Sequence, residues 1–326
     1  MIFVTGGTGF LGTHLLRGLV KRDEKVRALK RSSAKILLEA EAAKQIEWVE
    51  GDVLDVTALE QVMKGCDKLY HCAGLVSFLP DDHKKLMKAN VEGTANVVNA
   101  ALAMKITKLL HVSSVAALGS GKISEVITEK TGWDANNRTS DYAVSKFLGE
   151  REVWRGIAEG LNAVIINPSV IIGDGNWKKG SARFFSDVWN GLRFFSAGGT
   201  GFTGAKDVVN IMVKLMESDI HSERFIINSE NLSIKEFLFS VADQLKKTRP
   251  SISIKPWMME FLWREEMMKY KLTGILPVVT RQTAYIISRR SFFDNSKVVK
   301  ATGYQFTSVS ECLEETAKKI LSELKY

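Results

Sequence analysis

The chain is short of cysteine, of long apolar runs and of clustered charge. Its 326 residues hold three cysteines: Cys66, Cys72 and Cys312. They are odd in number and not at metal-ligand spacing. That argues against a disulfide framework and a bound metal, and for a reducing, cytoplasmic setting. No run of 18 or more apolar residues occurs, so no transmembrane helix is expected. An apolar strand begins at Met1 and enters a glycine turn, so no signal peptide is expected either. There is no internal repeat and no low-complexity linker. Basic residues outnumber acidic ones, 45 to 37, but they are scattered. Lys178-Lys179 and Arg289-Arg290 are isolated pairs expected on solvated surface, and no nucleic-acid partner is expected. With 45% hydrophobic and 25% charged residues, the chain has the composition of an ordinary globular protein. Its length allows one large domain with a smaller lobe.

What is present begins at once. Met1 to Thr5 reads as a strand, Gly6-x-x-Gly9-x-x-Gly12 as a turn, and His14 to Val20 as a helix. This order suits a dinucleotide pyrophosphate. Gly6 permits the tight turn, Gly9 the approach of phosphate, and Gly12 close packing of helix on strand; the helix N-terminus attracts the anion. Further on, Tyr142 and Lys146 lie four apart and share a face if the segment is helical. An ammonium beside a phenol favours the phenolate, which would make Tyr142 a proton donor or acceptor near neutral pH. Ser113-Ser114 ends the strand-like run Leu109 to Val112, on the sheet edge expected to carry the glycine turn.

Strands and helices alternate through the first half: strand two at 25–29, a helix at 32–43, strand three at 45–50, a helix at 57–64, strand four at 68–72, a long helix at 83–104, strand five at 108–113, the tyrosine helix at 140–159 and strand six at 161–167. The fold class is therefore α/β, a doubly wound parallel sheet of Rossmann type. The pattern loosens after Pro168. A helix at 207–216 and a strand at 224–228 follow, then mainly helix. The division expected is a dinucleotide-binding domain over 1–167 with 203–229 returning to it, and an interleaved, mainly helical substrate lobe from 168–202 and 230–326. The Met- and Trp-rich helix 257–268 is open to three readings: core of the lobe, lid over an apolar substrate, or membrane contact.

Taken together these residues resemble the extended short-chain dehydrogenase/reductase family, also called the NAD-dependent epimerase/dehydratase superfamily. The marks are the three glycines, Asp52-Val53, Ala73-Gly74, Asn90, Ser114, Tyr142-x-x-x-Lys146 and Asn167-Pro168-Ser169-Val170. The flavour is that of the dihydroflavonol-4-reductase-like and 3β-hydroxysteroid dehydrogenase-like branch. The resemblance implies catalytic roles for Ser114, Tyr142 and Lys146. It implies cofactor contacts from Gly6, Gly9, Phe10, Leu11, Gly12, Asp52, Val53, Ala73, Gly74, Lys146, Pro168, Ser169 and Val170. The activity implied is hydride transfer between a nicotinamide and a carbonyl or alcohol, with a sugar epimerase or dehydratase as the alternative and a non-catalytic cofactor sensor as a third reading. Two departures stand out. Gly119 replaces the Asn of plant dihydroflavonol reductases. The segment before Asp207 lacks the Arg-Asp-Tyr run of nucleotide-sugar epimerases.

Strand two ends in Lys30-Arg31, where NAD-selective members carry a carboxylate. A preference for NADP(H) is expected, with NAD(H) as the alternative cofactor. The substrate is expected to be a small molecule against a wall that includes Arg183, Phe184, Trp189 and Arg281. A homodimer through helices 83–104 and 140–159 is also expected from the resemblance.

Overall fold

The protein was analysed as a computed structural model, which describes residues 1–119, 126–133, 140–177 and 180–324. The Lys178-Lys179 pair lies outside the described residues. The first half runs β1 (Ile2–Thr5), α1 (Phe10–Val20), β2 (Val26–Lys30), α2 (Ala40–Ala43), β3 (Ile46–Glu50), α3 (Val56–Met63), β4 (Lys68–His71), α4 (His83–Met87), α5 (Gly93–Ala103), β5 (Lys108–Val112), α6 (Asp141–Ala158) and β6 (Ala163–Pro168). The second half runs β7 (Val170–Ile172), α7 (Arg183–Trp189), β8 (Phe194–Ser196), β9 (Gly199–Gly204), α8 (Ala205–Glu217), β10 (Glu223–Ile227), β11 (Glu230–Ser233), α9 (Ile234–Gln244), β12 (Ile252–Ile254), α10 (Pro256–Thr273), α11 (Arg281–Ser288), α12 (Ser296–Thr302) and α13 (Val309–Glu323).

Seven strands form one sheet in the order β10-β6-β5-β4-β1-β2-β3, and every pairing in it is parallel. The order reverses between β1 and β4, so a crevice opens there at the carboxyl ends of the strands. Alternation along the strands sorts the core. Val4, Tyr70, Leu110 and Val164 pack with residues of α1 and α8. Phe3, Leu69, Leu109 and Ala163 pack with residues of α3, α5 and α6. Strand β10, far along the chain, returns to pair with β6. A second core joins α7, α9 and α13 around Phe185, Phe202 and Phe237. Among the described residues no helix is long and apolar enough to cross a membrane.

Three expectations are corrected. The helix expected at 32–43 shrinks to Ala40–Ala43, because Ile36 and Leu37 stay exposed and Leu38 alone of the three is buried, which leaves no apolar stripe to hold a longer helix. The long helix 83–104 is broken by a π turn at Lys88–Glu92. The segment after Pro168, where the pattern loosens and a mainly helical lobe is expected, contains β7, α7, β8 and β9, and β11 and β12 follow later. These strands are three to six residues long and glycine interrupts β9, so their periodicity is faint.

Candidate active site

The glycine turn is set by close approach. Gly6 has φ +72°, and a Cβ there would lie 2.5 Å from the Ala73 nitrogen. A Cβ on Gly12 would lie 2.1 Å from the Gly6 carbonyl oxygen. The turn closes through the Gly9 N–H donating to Gly6 O at 2.9 Å. Gly9 caps α1 without a side-chain bond, so the N–H groups of Phe10 and Leu11 in the first turn keep their donor capacity for an anion. Across the crevice Ala73 donates its N–H to the Thr5 hydroxyl at 3.3 Å. A Cβ on Gly74 would lie 3.7 Å from Lys146 Nζ. Asp52 turns its carboxylate to the Leu54 N–H at 3.1 Å, and Val53 packs on Gly93.

The Ser113, Asn167 and Ser169 side chains each leave a buried oxygen without a partner, at the ends of β5 and β6 beside Pro168 and Val170. Polar atoms left unpaired in a packed interior are uncommon. With the glycine cradle, they fit an elongated polar cofactor laid along this edge.

Helix α6 brings the reactive groups in. Ser140 caps it by accepting from the Ala143 N–H at 3.1 Å, which fixes the register of Tyr142 one turn before Lys146. Lys146 is buried at 7% exposure and donates from Nζ to the Val112 carbonyl at 2.9 Å. Burial pulls its pKa down to about 8, opposed first by the charge of Glu150. Tyr142 is raised by burial, partly offset by a hydrogen bond with Ser114. This corrects the expectation of a phenol lowered by Lys146. The ammonium points at Val112, so desolvation dominates and the phenol keeps its proton at neutral pH. Phe78 meets the Tyr142 ring edge-on at 5.6 Å, and Trp133 stacks on Phe147 at 4.3 Å.

A polar chain behind these groups escaped the sequence reading. Thr94 Oγ1 donates to the Asn90 carbonyl at 2.7 Å, so it accepts from His71 Nε2 at 3.1 Å. The proton therefore sits on Nε2, and His71 Nδ1 accepts from the Thr5 hydroxyl at 2.7 Å. Burial, and then the Lys146 charge, pull His71 down to about 3, so the imidazole is a neutral spacer. Asn90 explains the π turn. Its side chain accepts from the Leu75 N–H at 2.7 Å and donates to Leu75 O and Ser145 Oγ, each at 2.9 Å. Its carbonyl lies where a Cβ on Gly149 would come within 2.2 Å. The π turn thus presents the Asn90 side chain to the loop after β4 and to Ser145, and its carbonyl to α6 at Gly149.

The remaining residues expected at the site lie apart or elsewhere. Lys30 gives its ammonium to Glu50 of the neighbouring strand at 2.7 Å, whereas Arg31 is exposed. Phe184 sits edge-on to Phe237 at 5.3 Å. Trp189 lies between Trp177 at 6.2 Å and the Lys247 ammonium at 3.9 Å from its ring; both side chains pack against the small-lobe core. Arg183 reaches Asp187 one turn on, and Arg281 is exposed at the start of α11. Gly119 could bear no side chain, because its Cβ would lie 1.7 Å from the Gly132 carbonyl oxygen. The Asn of plant dihydroflavonol reductases is therefore sterically barred here. Asp207 is occupied by Tyr304 Oη at 2.8 Å and by Thr307. An open cavity of about 730 Å³ beside β10, lined by Val126, Asn228, Glu230 and Asp294 among others, contains none of Ser114, Tyr142 or Lys146.

Helices α10 and α11 reach across to this edge. Tyr270 Oη donates to Asp81 at 3.1 Å, and Gln282 Nε2 donates at 2.9 Å to Asp141, the residue before Tyr142.

Comparison with known proteins agrees with this arrangement. Residues 2–227 match the NAD dependent epimerase/dehydratase family. The chain is 30% identical over 262 residues to sterol demethylase protein B of Methylococcus capsulatus, covering 79% of this chain and 78% of that one. It is 25% identical over 336 residues to 3beta-hydroxysteroid-dehydrogenase/decarboxylase isoform 1 of Arabidopsis thaliana, covering 92% and 75%. The crystal structure of gox2253 superposes with a TM-score of 0.85 at 26% identity, covering 99% of this chain and 98% of that one. A glycine cradle at the switch point, a buried Lys one turn from a protonated Tyr, and this kinship converge: the chain belongs to the NAD dependent epimerase/dehydratase family and is an enzyme, an oxidoreductase of its extended short-chain dehydrogenase/reductase type.

Proposed function

We propose that the protein is an NADP(H)-preferring reductase or dehydrogenase acting on a small to medium, largely apolar carbonyl or alcohol. The observation that carries this is the meeting of Ser114, Tyr142 and Lys146 beside the glycine cradle on one sheet edge. A bound nicotinamide supplies or accepts the hydride. Tyr142, protonated by burial, gives its proton to the substrate oxygen. Ser114 bonds that oxygen, and Lys146 holds the ribose hydroxyls. Asp52 and Val53 take the adenine end, Ala73 and Gly74 the ribose and pyrophosphate path, and Pro168 to Val170 the nicotinamide face. The boundaries at 167, 202 and 229 then separate a cofactor domain from a substrate lobe. The three free cysteines suit the cytoplasm.

The apolar substrate is supported by what lies about Tyr142: Phe78 against its ring, the Met- and Trp-rich α10 tied to Asp81 through Tyr270, and α11 tied to the adjacent Asp141 through Gln282. Gln282 adds one polar anchor, since its buried Oε1 has no partner and would accept from a substrate hydroxyl. The test is a panel of apolar ketones, aldehydes and nucleotide sugars, followed by NADPH absorbance and product analysis. Turnover of apolar carbonyls alone is expected; turnover confined to nucleotide sugars would restore the epimerase reading.

Cofactor choice should rest on Arg31. Lys30 is tied to Glu50, so the exposed guanidinium is the group left to meet a 2′-phosphate bidentately. Arg31→Ala should weaken NADPH about tenfold or more and leave NADH nearly unchanged, as loss of one charge-assisted bond implies. Lys30→Ala should do less. Titration of both cofactors by fluorescence checks this, and tighter binding of NADH by the native protein would sink it.

A homodimer through the outer faces of α4, α5 and α6 is the assembly we propose. Met87, Val91 and Arg155 are the candidate contacts on those faces, whereas Gly93 packs on Val53 and Ala100 is buried in the core. Light scattering at micromolar concentration should give twice the chain mass of 36.3 kDa.

A further inference from the structure

Helix α6 carries a third ionisable group in line with the first two. Tyr142, Lys146 and Glu150 stand at successive intervals of four, along one stripe of the helix. Glu150 is only 2% exposed. A carboxylate so buried is tolerated only if it is paired and fully hydrogen-bonded. Its partners come from two strands and its own helix. Oε1 accepts from Arg224 Nη1 of β10 at 3.0 Å and from Trp154 Nε1 at 3.3 Å. Oε2 accepts from Asn167 Nδ2 of β6 at 2.8 Å. The same amide group donates to the Ser114 carbonyl at 3.0 Å. Arg224 is anchored in turn, donating from Nε to the Glu129 carbonyl at 3.0 Å, while the Glu129 carboxylate accepts from the Ile226 N–H at 2.8 Å. The Glu150 carboxylate is therefore held in one place, one helical turn from Lys146.

We propose that Glu150, fixed by Arg224 and Asn167, is a positioning residue whose charge keeps Lys146 an ammonium while Tyr142 works. The inference rests on the reading of Tyr142 and Lys146 given above. The surroundings of Lys146 leave this task to Glu150. His71 of β4 and His111 of β5 are held neutral by burial, and the Lys146 charge adds to that effect. Burial pushes the Cys72 thiol up to about 12, and it raises the Tyr142 phenol. Asn90 and Gly74 bring no charge. Glu150 is the first of the groups that oppose the desolvation of Lys146, and Arg224 lies beyond it as its ion-pair partner.

The test uses the whole protein without added cofactor, so it does not depend on turnover. Lysine labelled with ¹³C at the ε carbon is titrated by NMR, and the Lys146 signal is assigned by its loss in Lys146→Met. The native midpoint should lie near 8. In Glu150→Gln it should fall by about one unit, the order expected when a neighbouring opposite charge is removed. Glu150→Asp should restore it. If Glu150→Gln does not fold, the double variant Glu150→Gln with Arg224→Gln removes both charges of the pair; the shift stays downward but is smaller, because loss of the more distant Arg224 cation partly offsets loss of the carboxylate. An unchanged Lys146 midpoint in either folded variant overturns the inference. Near-normal turnover of Tyr142→Phe would instead overturn the catalytic reading and leave this titration untouched, so the two failures are distinguishable.

Discussion

Replacing Tyr142 with Phe should lower kcat by about 10²-fold or more while leaving cofactor affinity unchanged, because a positioned proton donor contributes at least that much. The ring is the structural part of this side chain. Its edge contact with Phe78 survives the substitution, and so does the backbone carbonyl that accepts from Ser145 Oγ at 2.8 Å. Only the hydroxyl is lost, together with its hydrogen bond to Ser114. Burial holds that hydroxyl protonated at neutral pH, so in the reducing direction the native enzyme starts from the form able to donate. The variant has no proton to give. Steady-state kinetics, with cofactor titration by fluorescence, separates the two quantities. Turnover near the native level would remove Tyr142 from the mechanism.

Substituting Gly6 with Ala should destabilise the fold by about 2–5 kcal/mol, the sum of left-handed backbone strain and forced overpacking. It should also abolish measurable cofactor binding. The residue has φ +72°, and the added Cβ would meet the Ala73 nitrogen at 2.5 Å and the Cys72 carbonyl carbon at 2.6 Å. Both are backbone atoms of β4 or its exit, so relief requires β1 and β4 to part where the crevice opens. Gly65 is the control. Its φ is +76°, yet nothing lies within 4 Å of the new Cβ. Gly65→Ala should therefore show the strain alone, about 1–2 kcal/mol, with cofactor binding intact. Denaturant unfolding of the three proteins reads the difference. Equal losses in the two variants would mean that contact with Ala73 does not matter.

The parts of the site that could be read from the chain are those built within one turn or one helix. The strand–turn–helix of residues 1–20 is local, and so is the Tyr142/Lys146 spacing. The doubly wound sheet followed from the alternation of short apolar runs with helical periods. The reading faltered where the cause of a structure lies elsewhere. Residues 83–104 carry a continuous helical period, yet Asn90 breaks it to serve Leu75 and Ser145. Lys30 and Arg31 look equivalent in sequence, yet pairing of β2 with β3 assigns one to Glu50 and leaves the other exposed. Phe184 and Trp189 have the composition of a substrate wall but pack with Phe237, Trp177 and Lys247.

By itself the sequence determined the fold class and the glycine turn and pointed to Ser114, Tyr142 and Lys146, because backbone freedom, helical period and strand alternation act over a few residues. Only the tertiary structure decided the state and surroundings of those groups. The neutral His71 relay joins Thr5 to Thr94, and the buried Glu150 meets Arg224 across 74 positions of sequence. Whether a phenol keeps its proton or a carboxylate can be buried depends on which distant partners exclude water from it. Sheet order and helix packing set those partners.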